Sequence, residues 1–166
     1  MGDIFKEQIV KRKASPKDMV IRVLLVLLVF LIFIVALALV GEFAVMIVFL
    51  AGFGAAYLSS YLKVEYEYAF TNGEMDIDII YNQSRRKRMF SAKVSDIDVM
   101  MHVDAAVQAH DFQNPQAVLD FSSGEVTADT YAFMINYNTK RTKVIISPNE
   151  KMLDAMGTVL SRKLRK

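Results

Sequence analysis

The stretch VEYEYAFTNGEMDIDIIY, residues 64–81, decides the fold. Apolar and polar residues alternate in each half, as in strands with one buried and one solvated face. The two halves are joined by Asn72-Gly73, the dipeptide most typical of a tight β-hairpin. Asp76 and Asp78 then lie on the polar face of the second strand. The apolar positions are Val64, Tyr66, Tyr68, Phe70, Met75, Ile77, Ile79 and Tyr81.

Short strands continue after this hairpin and an amphipathic helix ends the chain. The sequence predicts a helix from Asn149, a plausible N-cap, with Met152, Met156, Val159 and Leu160 at helical spacing. Together with the hairpin, the strands number seven. The five further strands are predicted at 88–93, 97–103, 117–122, 130–137 and 142–147.

Upstream of residue 63 the chain is apolar. Hydrophobic residues make up 54% of the 166 residues, and they concentrate between Met19 and Leu62. One helix of that length is about twice the ~30 Å hydrocarbon core of a bilayer. With Gly41-Glu42 as the turn, we expect two antiparallel transmembrane spans at 19–40 and 43–62. The predicted organisation is a basic N-terminal segment (1–18), a transmembrane hairpin (19–62) and a soluble domain (63–166).

Lysine and arginine residues set the expected orientation. They precede the first span and follow the second, whereas the turn has none, so both termini and the soluble domain are predicted to be cytoplasmic, with the chain integral to the cell membrane. Ser15 is predicted to cap the first span. Before it, Ile4, Phe5 and Ile9 suggest either an interfacial helix or a solvated tail.

Small residues recur every four positions in the second span. Such spacing lets helix backbones approach closely. Packing on the first span of the same chain is the favoured interpretation, and a homodimer seam is the alternative. The residues are Ala51, Gly52, Ala55, Ala56, Ser59 and Ser60.

The paired spans followed by EYEYAFTNGEMDIDI, a basic run and KVSDIDVM resemble the bacterial pleckstrin-homology-like (PH-like) membrane proteins. The resemblance implies an α+β membrane protein: a two-helix transmembrane hairpin followed by a seven-stranded antiparallel PH-like barrel, capped by a C-terminal helix. Phosphoinositide-binding PH domains place basic residues where this chain reads AFT-NG-EMDID. Inositol-phosphate recognition of that kind is therefore not expected.

Basic residues concentrate in two connections predicted to lie at the membrane end of the domain. We expect them to contact anionic lipid, and a merely solvated loop is the alternative. Nucleic-acid binding is not expected, because the net charge is only +2 and no recognition motif accompanies the run. These residues are Arg85, Arg86, Lys87, Arg88, Lys140 and Arg141.

The sequence offers little for catalysis. The chain has no cysteine and only two histidines, His102 and His110, and no known catalytic motif is present. Asp76 and Asp78 lack the further ligands that a metal requires, so neither a metal nor a cofactor is expected. The longest loop, residues 104–116, carries His110, Asp111, Phe112 and Pro115 and is the candidate partner-binding loop.

These features predict a non-enzymatic, membrane-tethered PH-like binding or scaffold module at the inner leaflet, contacting anionic lipid and a protein partner. The alternative is an accessory subunit of a larger, transporter-like membrane assembly that uses its spans as the interface.

Overall fold

The computed structural model describes residues 5–165, and the chain divides into two compact units. One unit is Ala14–Val64. The other combines the residues up to Lys13 with those from Glu65 onward. The apolar unit is therefore inserted into the second unit rather than preceding it.

The apolar unit is helical. Helix α1 spans Pro16–Val40, a 3-10 turn spans Gly41–Phe43 and helix α2 spans Ala44–Ser60. The Ser15 hydroxyl accepts from the Asp18 amide, and the Asp18 carboxylate accepts from the Ser15 amide, which confirms the predicted cap. The stretch Pro16–Ser60 is the one candidate in the described chain with the length and composition to cross a membrane.

The first sheet has four strands in the order β1-β2-β3-β4. Strand β1 is Phe5–Lys11, β2 is Val64–Thr71, β3 is Glu74–Tyr81 and β4 is Arg85–Lys93. Both interpretations of the N-terminal segment were wrong, because Phe5–Lys11 is an edge strand antiparallel to β2, with Lys11 opposite Glu65. The alternation of apolar and polar residues in β1 is hard to recognise, because the apolar Phe5 and Ile9 are exposed. Ile4 lies outside the described residues.

The second sheet has five strands in the order β6-β8-β7-β5-β9. Strand β5 is Ile97–His102, β6 is Ala117–Asp120, β7 is Tyr131–Tyr137, β8 is Lys140–Ile146 and β9 is Leu164–Arg165. Strand β6 runs parallel to β8, and β9 runs parallel to β5.

The predicted seven-stranded antiparallel barrel is wrong, although the predicted α+β class holds. All seven predicted strands form, but β1 and β9 add two more from the ends of the chain. Within residues 5–165 no strand ladder joins the two sheets, so neither closes. The short strand β6, which pairs with β8 in parallel, lies at one edge of the second sheet, and β9 lies at the other.

Two helices complete the second unit. Helix α3 is Val103–Gln108, and α4 is Glu150–Leu160. The Asn149 side chain accepts from the Met152 amide at 2.8 Å, which confirms the predicted cap. Short 3-10 turns follow β4 (Val94–Asp96), α3 (His110–Phe112) and α4 (Ser161–Lys163).

Strand β7 separates two apolar cores. Phe133 and Ile135 face the inner core with Phe90, and the Phe90 and Phe133 rings lie 6.0 Å apart. On the opposite face, Ala132 and Met134 are also fully buried. That outer core is covered by α3 and by Phe112 of the following turn. The sequence predicted only the inner face to be buried.

Candidate functional site

The acidic pair in β3 and the basic run in β4 form one charge network on the outer face of the first sheet. Arg88 Nη1 lies 2.8 Å from Asp76 Oδ2, and its Nε donates to Asp78 Oδ1 at 2.8 Å. This hydrogen bond raises the pKa of Arg88. One guanidinium therefore bridges both carboxylates, and the positions that suggested a metal site are occupied by a side chain.

A β-bulge makes this contact possible. Ile77 pairs with Phe90, whereas Asp78 pairs with Arg88, so β4 carries one extra residue, Met89, at this point. In a regular strand, residues two positions apart point to the same face. Without the extra residue, Arg88 and Phe90 would therefore share one face of β4. The bulge turns Phe90 into the core and Arg88 toward the carboxylates.

Glu67 is the most buried carboxylate of the network. Its residue is only 5% exposed. Arg86 Nη2 lies 2.6 Å from Glu67 Oε2 and donates to Oε1 at 2.8 Å. Burial, together with a hydrogen bond to the Glu7 carboxyl, raises the pKa of Glu67, and the positive charge of Arg86 opposes that rise. Such a bond between two carboxyl groups requires a proton on one of them.

The end of the network near the β3–β4 turn is polar but looser. Gln83 Nε2 donates to Glu65 Oε1 at 3.3 Å, and Lys11 Nζ lies 4.0 Å from the same oxygen. Across residues 5–165, no three histidine, aspartate or glutamate side chains come together as metal ligands would. The arrangement consequently holds four strands together rather than presenting free carboxylates.

Several of the basic residues that were predicted to contact lipid have side chains engaged in bonds within the protein. Arg86 and Arg88 are committed to carboxylates, and Arg141 Nη2 donates to the Asp111 carbonyl at 2.6 Å. The exposed side chains that make no hydrogen bond or ion pair with the described residues are those of Arg85, Lys87 and Lys140.

The basic run also begins in a strand rather than in a loop. Asn82 and Gln83 adopt positive φ angles of 48° and 53°, and the Ser84 amide donates to the Tyr81 carbonyl at 3.1 Å. The turn is thereby complete at residue 84. Strand β4 starts at Arg85, three residues before the predicted start.

The predicted partner-binding loop is anchored to the second sheet. Phe112 is only 5% exposed, so its ring is not available at the surface, and Lys143 Nζ lies 5.7 Å from the ring centre. Asp111 Oδ2 accepts from Arg165 Nη1 at 3.1 Å. His110 is exposed and Pro115 is half-buried. Of the four predicted residues, Phe112 is the one whose side chain is closed off from the surface.

A polar cavity of about 300 Å³ lies beside this loop. Asp98, Asp111 and Asn136 provide oxygen atoms, whereas Arg141 and Arg165 provide guanidinium groups. Val99 and Met134 complete its lining. Arg141 was predicted to contact lipid and Asp111 to lie in a partner-binding loop, and the structure brings the two residues together. Asp98 and Arg165 were missed because their strands meet only through the parallel β5–β9 pairing.

The two histidines have different surroundings. His102 Nε2 lies 3.0 Å from the Thr127 carbonyl, and Nδ1 accepts from the Asp104 amide at 3.4 Å, capping α3. The Asp111 carboxylate beside His110 in sequence is engaged by Arg165. The His102 side chain is half-buried.

The small residues of α2 lie alongside α1. Gly52, Ala55, Ala56 and Ser59 line a cavity of about 390 Å³ together with α1 residues Arg22, Leu25, Val26 and Val29. Ala51 and Ser60 are half-buried and lie outside that lining. The Ser59 hydroxyl donates to the Ala56 carbonyl at 2.9 Å, and the Ser60 hydroxyl donates to the Tyr57 carbonyl at 2.6 Å.

Comparison with known proteins places the chain in a family. Searches of the curated proteins and of the solved structures gave no match. A family model described as "Bacterial PH-like domain (DUF6106)" matches residues 2–166, which is nearly the whole length of the chain. This match confirms the suspected bacterial PH-like resemblance, and PH-like domains are generally non-enzymatic. The chain therefore belongs to the bacterial PH-like domain family DUF6106.

Proposed function

We propose that the chain is a non-enzymatic binding module, tethered to the inner membrane by two spans, that presents its PH-like domain at the cytoplasmic leaflet. The observation that carries the proposal is the inserted apolar unit. In the most apolar 18-residue window of Pro16–Ser60, only 6% of the residues are buried. Leu50 and Phe53 are 75% and 72% exposed. A large exposed apolar surface is typical of a membrane or protein interaction site, and the length and composition of these helices favour the membrane.

The helix lengths suit a bilayer. At ~1.5 Å per residue, the 25 residues of α1 and the 17 residues of α2 reach about 37 Å and 25 Å, against a hydrocarbon core of ~30 Å. Tyr57 and Tyr61 lie near the end of α2, with their hydroxyls 2.7 Å apart. Tyrosine is enriched at membrane–water interfaces.

The connections to the sheet support antiparallel spans. Strand β1 leads into α1, and α2 leads into β2, while Lys11 at the end of β1 pairs with Glu65 at the start of β2. The apolar unit thus leaves and re-enters the sheet at neighbouring positions. Lysine and arginine residues flank these connections, whereas Gly41–Phe43 contains none. The positive-inside rule then assigns the PH-like domain to the cytoplasm.

Leaflet contact is proposed for the free basic side chains. The β3–β4 turn lies at the end of the sheet that connects to the spans, because Gln83 reaches Glu65 there. Arg85 and Lys87 follow that turn, and each basic group near an anionic leaflet contributes ~1 kcal/mol. Lys140 is the third free cation of the predicted set.

The anchored loop and its polar cavity are the proposed protein-binding surface. Asp98, Asp111, Arg141 and Arg165 offer both charge signs within one cavity of about 300 Å³. Such a lining favours a polar or zwitterionic segment of a partner over an apolar one. Because Asp111 is bonded to Arg165 and to Arg141, the surface is ordered before a partner arrives.

Single-cysteine labelling tests the tether, since the chain has no native cysteine. Glu42→Cys at the α1–α2 turn and Asp129→Cys in the exposed β6–β7 connection are compared in bacterial cells expressing the full chain. A membrane-impermeant maleimide is expected to label residue 42 in intact cells and residue 129 only after lysis. Equal labelling of both positions in intact cells, or recovery of the chain in the soluble fraction, contradicts the proposal.

Leaflet contact is tested separately. A fluorophore on Ser84→Cys, in full-length chain reconstituted in anionic nanodiscs, is expected to be quenched by head-group-labelled lipid. Quenching is expected to fall when Arg85 and Lys87 are both replaced by glutamine. A fluorophore on Glu74→Cys, exposed at the β2–β3 turn at the far end of strand β2 from Val64, serves as the distant control. If quenching at residue 84 is the same in the parent and the double variant, leaflet contact is contradicted and the basic run is a solvated strand end.

A further inference from the structure

Arg22 is the only charged residue between Asp18 and Glu42. It lies on α1, six positions after Pro16, or about 9 Å along the helix axis. Its side chain is exposed and makes no hydrogen bond or ion pair within residues 5–165. A guanidinium cannot lose its charge. In a helix that faces lipid, such a group extends to the head-group region or pairs with an anion.

An apolar groove begins beside this guanidinium. Its lining combines Leu25, Val26 and Val29 of α1 with Gly52, Ala55 and Ala56 of α2, and it encloses about 390 Å³. A Cβ atom placed on Gly52 would meet no atom within 4 Å. The small side chains at this position therefore leave an open space rather than a tight helix contact.

The groove is polar at one end only. Arg22 and Ser59 provide its polar groups, and Ser59 lies on α2 between Tyr57 and Tyr61. The tyrosine pair marks the depth of the membrane–water interface. The Arg22 end consequently lies near the head groups, and the Val29–Gly52 end lies deeper in the hydrocarbon.

We propose that this groove binds one anionic phospholipid, with its phosphate on the Arg22 guanidinium and an acyl chain along Leu25, Val29 and Gly52. The proposal rests on the proposed function, because it requires α1 and α2 to be in the bilayer. Basic pockets between transmembrane helices on the cytoplasmic side are typical sites for anionic head groups.

The charges favour lipid over a second copy of the chain. The apolar unit contains two carboxylates, Asp18 and Glu42. Asp18 is buried and caps α1, and Glu42 lies at the far end of the helices. A second copy packed in the groove would enclose Arg22 without supplying a counter-charge, and that is costly in a low-dielectric environment.

Native mass spectrometry tests the proposal on the full-length chain released from nanodiscs of mixed phosphatidylglycerol and phosphatidylcholine. One retained phosphatidylglycerol per chain is expected. Arg22→Gln should lower that retention by about fivefold. Ala56→Leu keeps the charge but fills the groove, and it should lower retention similarly. Lys17→Gln, which removes a nearby charge outside the groove, should leave retention unchanged. Helical circular dichroism confirms that each variant is folded.

Equal retention in the parent and the Arg22→Gln variant would overturn the proposal, as would an Ala56→Leu variant that binds as well as the parent. A dimer without bound lipid would overturn it in favour of a second copy. The labelling of Glu42→Cys separates the two proposals. A chain that labels as a two-span protein but retains no phosphatidylglycerol refutes the groove alone, whereas a chain that does not insert refutes both.

Discussion

Replacing Arg86 with glutamine is expected to destabilise the PH-like domain in a pH-dependent way. Glu67 is 5% exposed, and Arg86 Nη2 lies 2.6 Å from its Oε2. Removing the cation leaves a buried carboxylate whose remaining acidic neighbours include Glu7 and Asp78. Because the Arg86 side chain is itself 59% exposed, the cost lies well below that of a fully buried pair. We expect a loss of about 2 kcal/mol near neutral pH.

The sign of the pH dependence follows from Glu67. Burial already raises its pKa above the ordinary value, and removal of Arg86 raises it further. A carboxyl whose folded-state pKa is raised favours the folded state at low pH, and that contribution is lost as the pH rises through the folded-state value. The cost of Arg86→Gln should therefore be larger at about pH 8 than at about pH 5, because protonation of Glu67 becomes more favourable as the pH falls.

Thermal unfolding of the full chain in detergent, followed by near-ultraviolet circular dichroism of the tyrosines, measures this effect. A loss of about 2 kcal/mol lowers Tm by roughly 8 °C for a domain of this size. Arg85→Gln is the matched control, because Arg85 is adjacent and exposed and has no ion pair among the described residues. The double variant Glu67→Gln with Arg86→Gln should recover much of the loss. An Arg86→Gln variant as stable as Arg85→Gln, or equally destabilised at both pH values, would refute the reasoning.

Three further changes test the fold, each by urea unfolding of the full chain in detergent. Gly73→Ala should cost about 1 kcal/mol, because Gly73 has a φ of +90°; a neutral result would contradict the assigned turn. Tyr68→Phe should cost about 1–2 kcal/mol, because the buried Tyr68 hydroxyl donates to one backbone carbonyl and accepts from one amide, and a stability equal to the parent's would show that these bonds contribute nothing. Phe112→Ala should cost about 3 kcal/mol, because it leaves a cavity in the outer core. The control His110→Ala, two residues away and exposed, should have a stability within about 0.5 kcal/mol of the parent. Equal effects of the two substitutions would place the Phe112 side chain at the surface.

Local signals in the sequence predicted local structure well. Asn72-Gly73 specified its hairpin, and Ser15 and Asn149 specified helix starts, because each acts through its own backbone neighbours. The strand alternation in residues 64–81 likewise identified one buried face, although Tyr81 is only half-buried there. It did not predict that Glu67, Asp78 and Ile80 are buried as well. These features require no knowledge of distant contacts.

The missing parts all depend on distant contacts. Strand β1 pairs with β2 across more than fifty intervening residues, and its sequence FKEQIVK has no strong alternation of its own. The ion pairs of Arg88 with Asp76 and Asp78 require the bulge at Met89, and no local sequence pattern predicts that bulge. The sequence around Phe112 indicates only an aromatic residue in a loop. Its burial follows from the outer face of β7, which is buried as well. In each case the deciding partner is an element far along the chain.

The position of the apolar unit has a consequence for synthesis. A ribosome releases β1 before α1 and α2, and β2 only after them, so the first sheet cannot begin to pair until the apolar residues have left the exit tunnel. If Ala14–Val64 were a flexible loop, joining Lys11 to Glu65 would carry the closure entropy of more than fifty residues. Two inserted helices remove most of that entropy by returning the chain to its starting side. If the two helices insert into a membrane as proposed, insertion would come before pairing of the first sheet, and a failure of insertion would leave β1 without its partner.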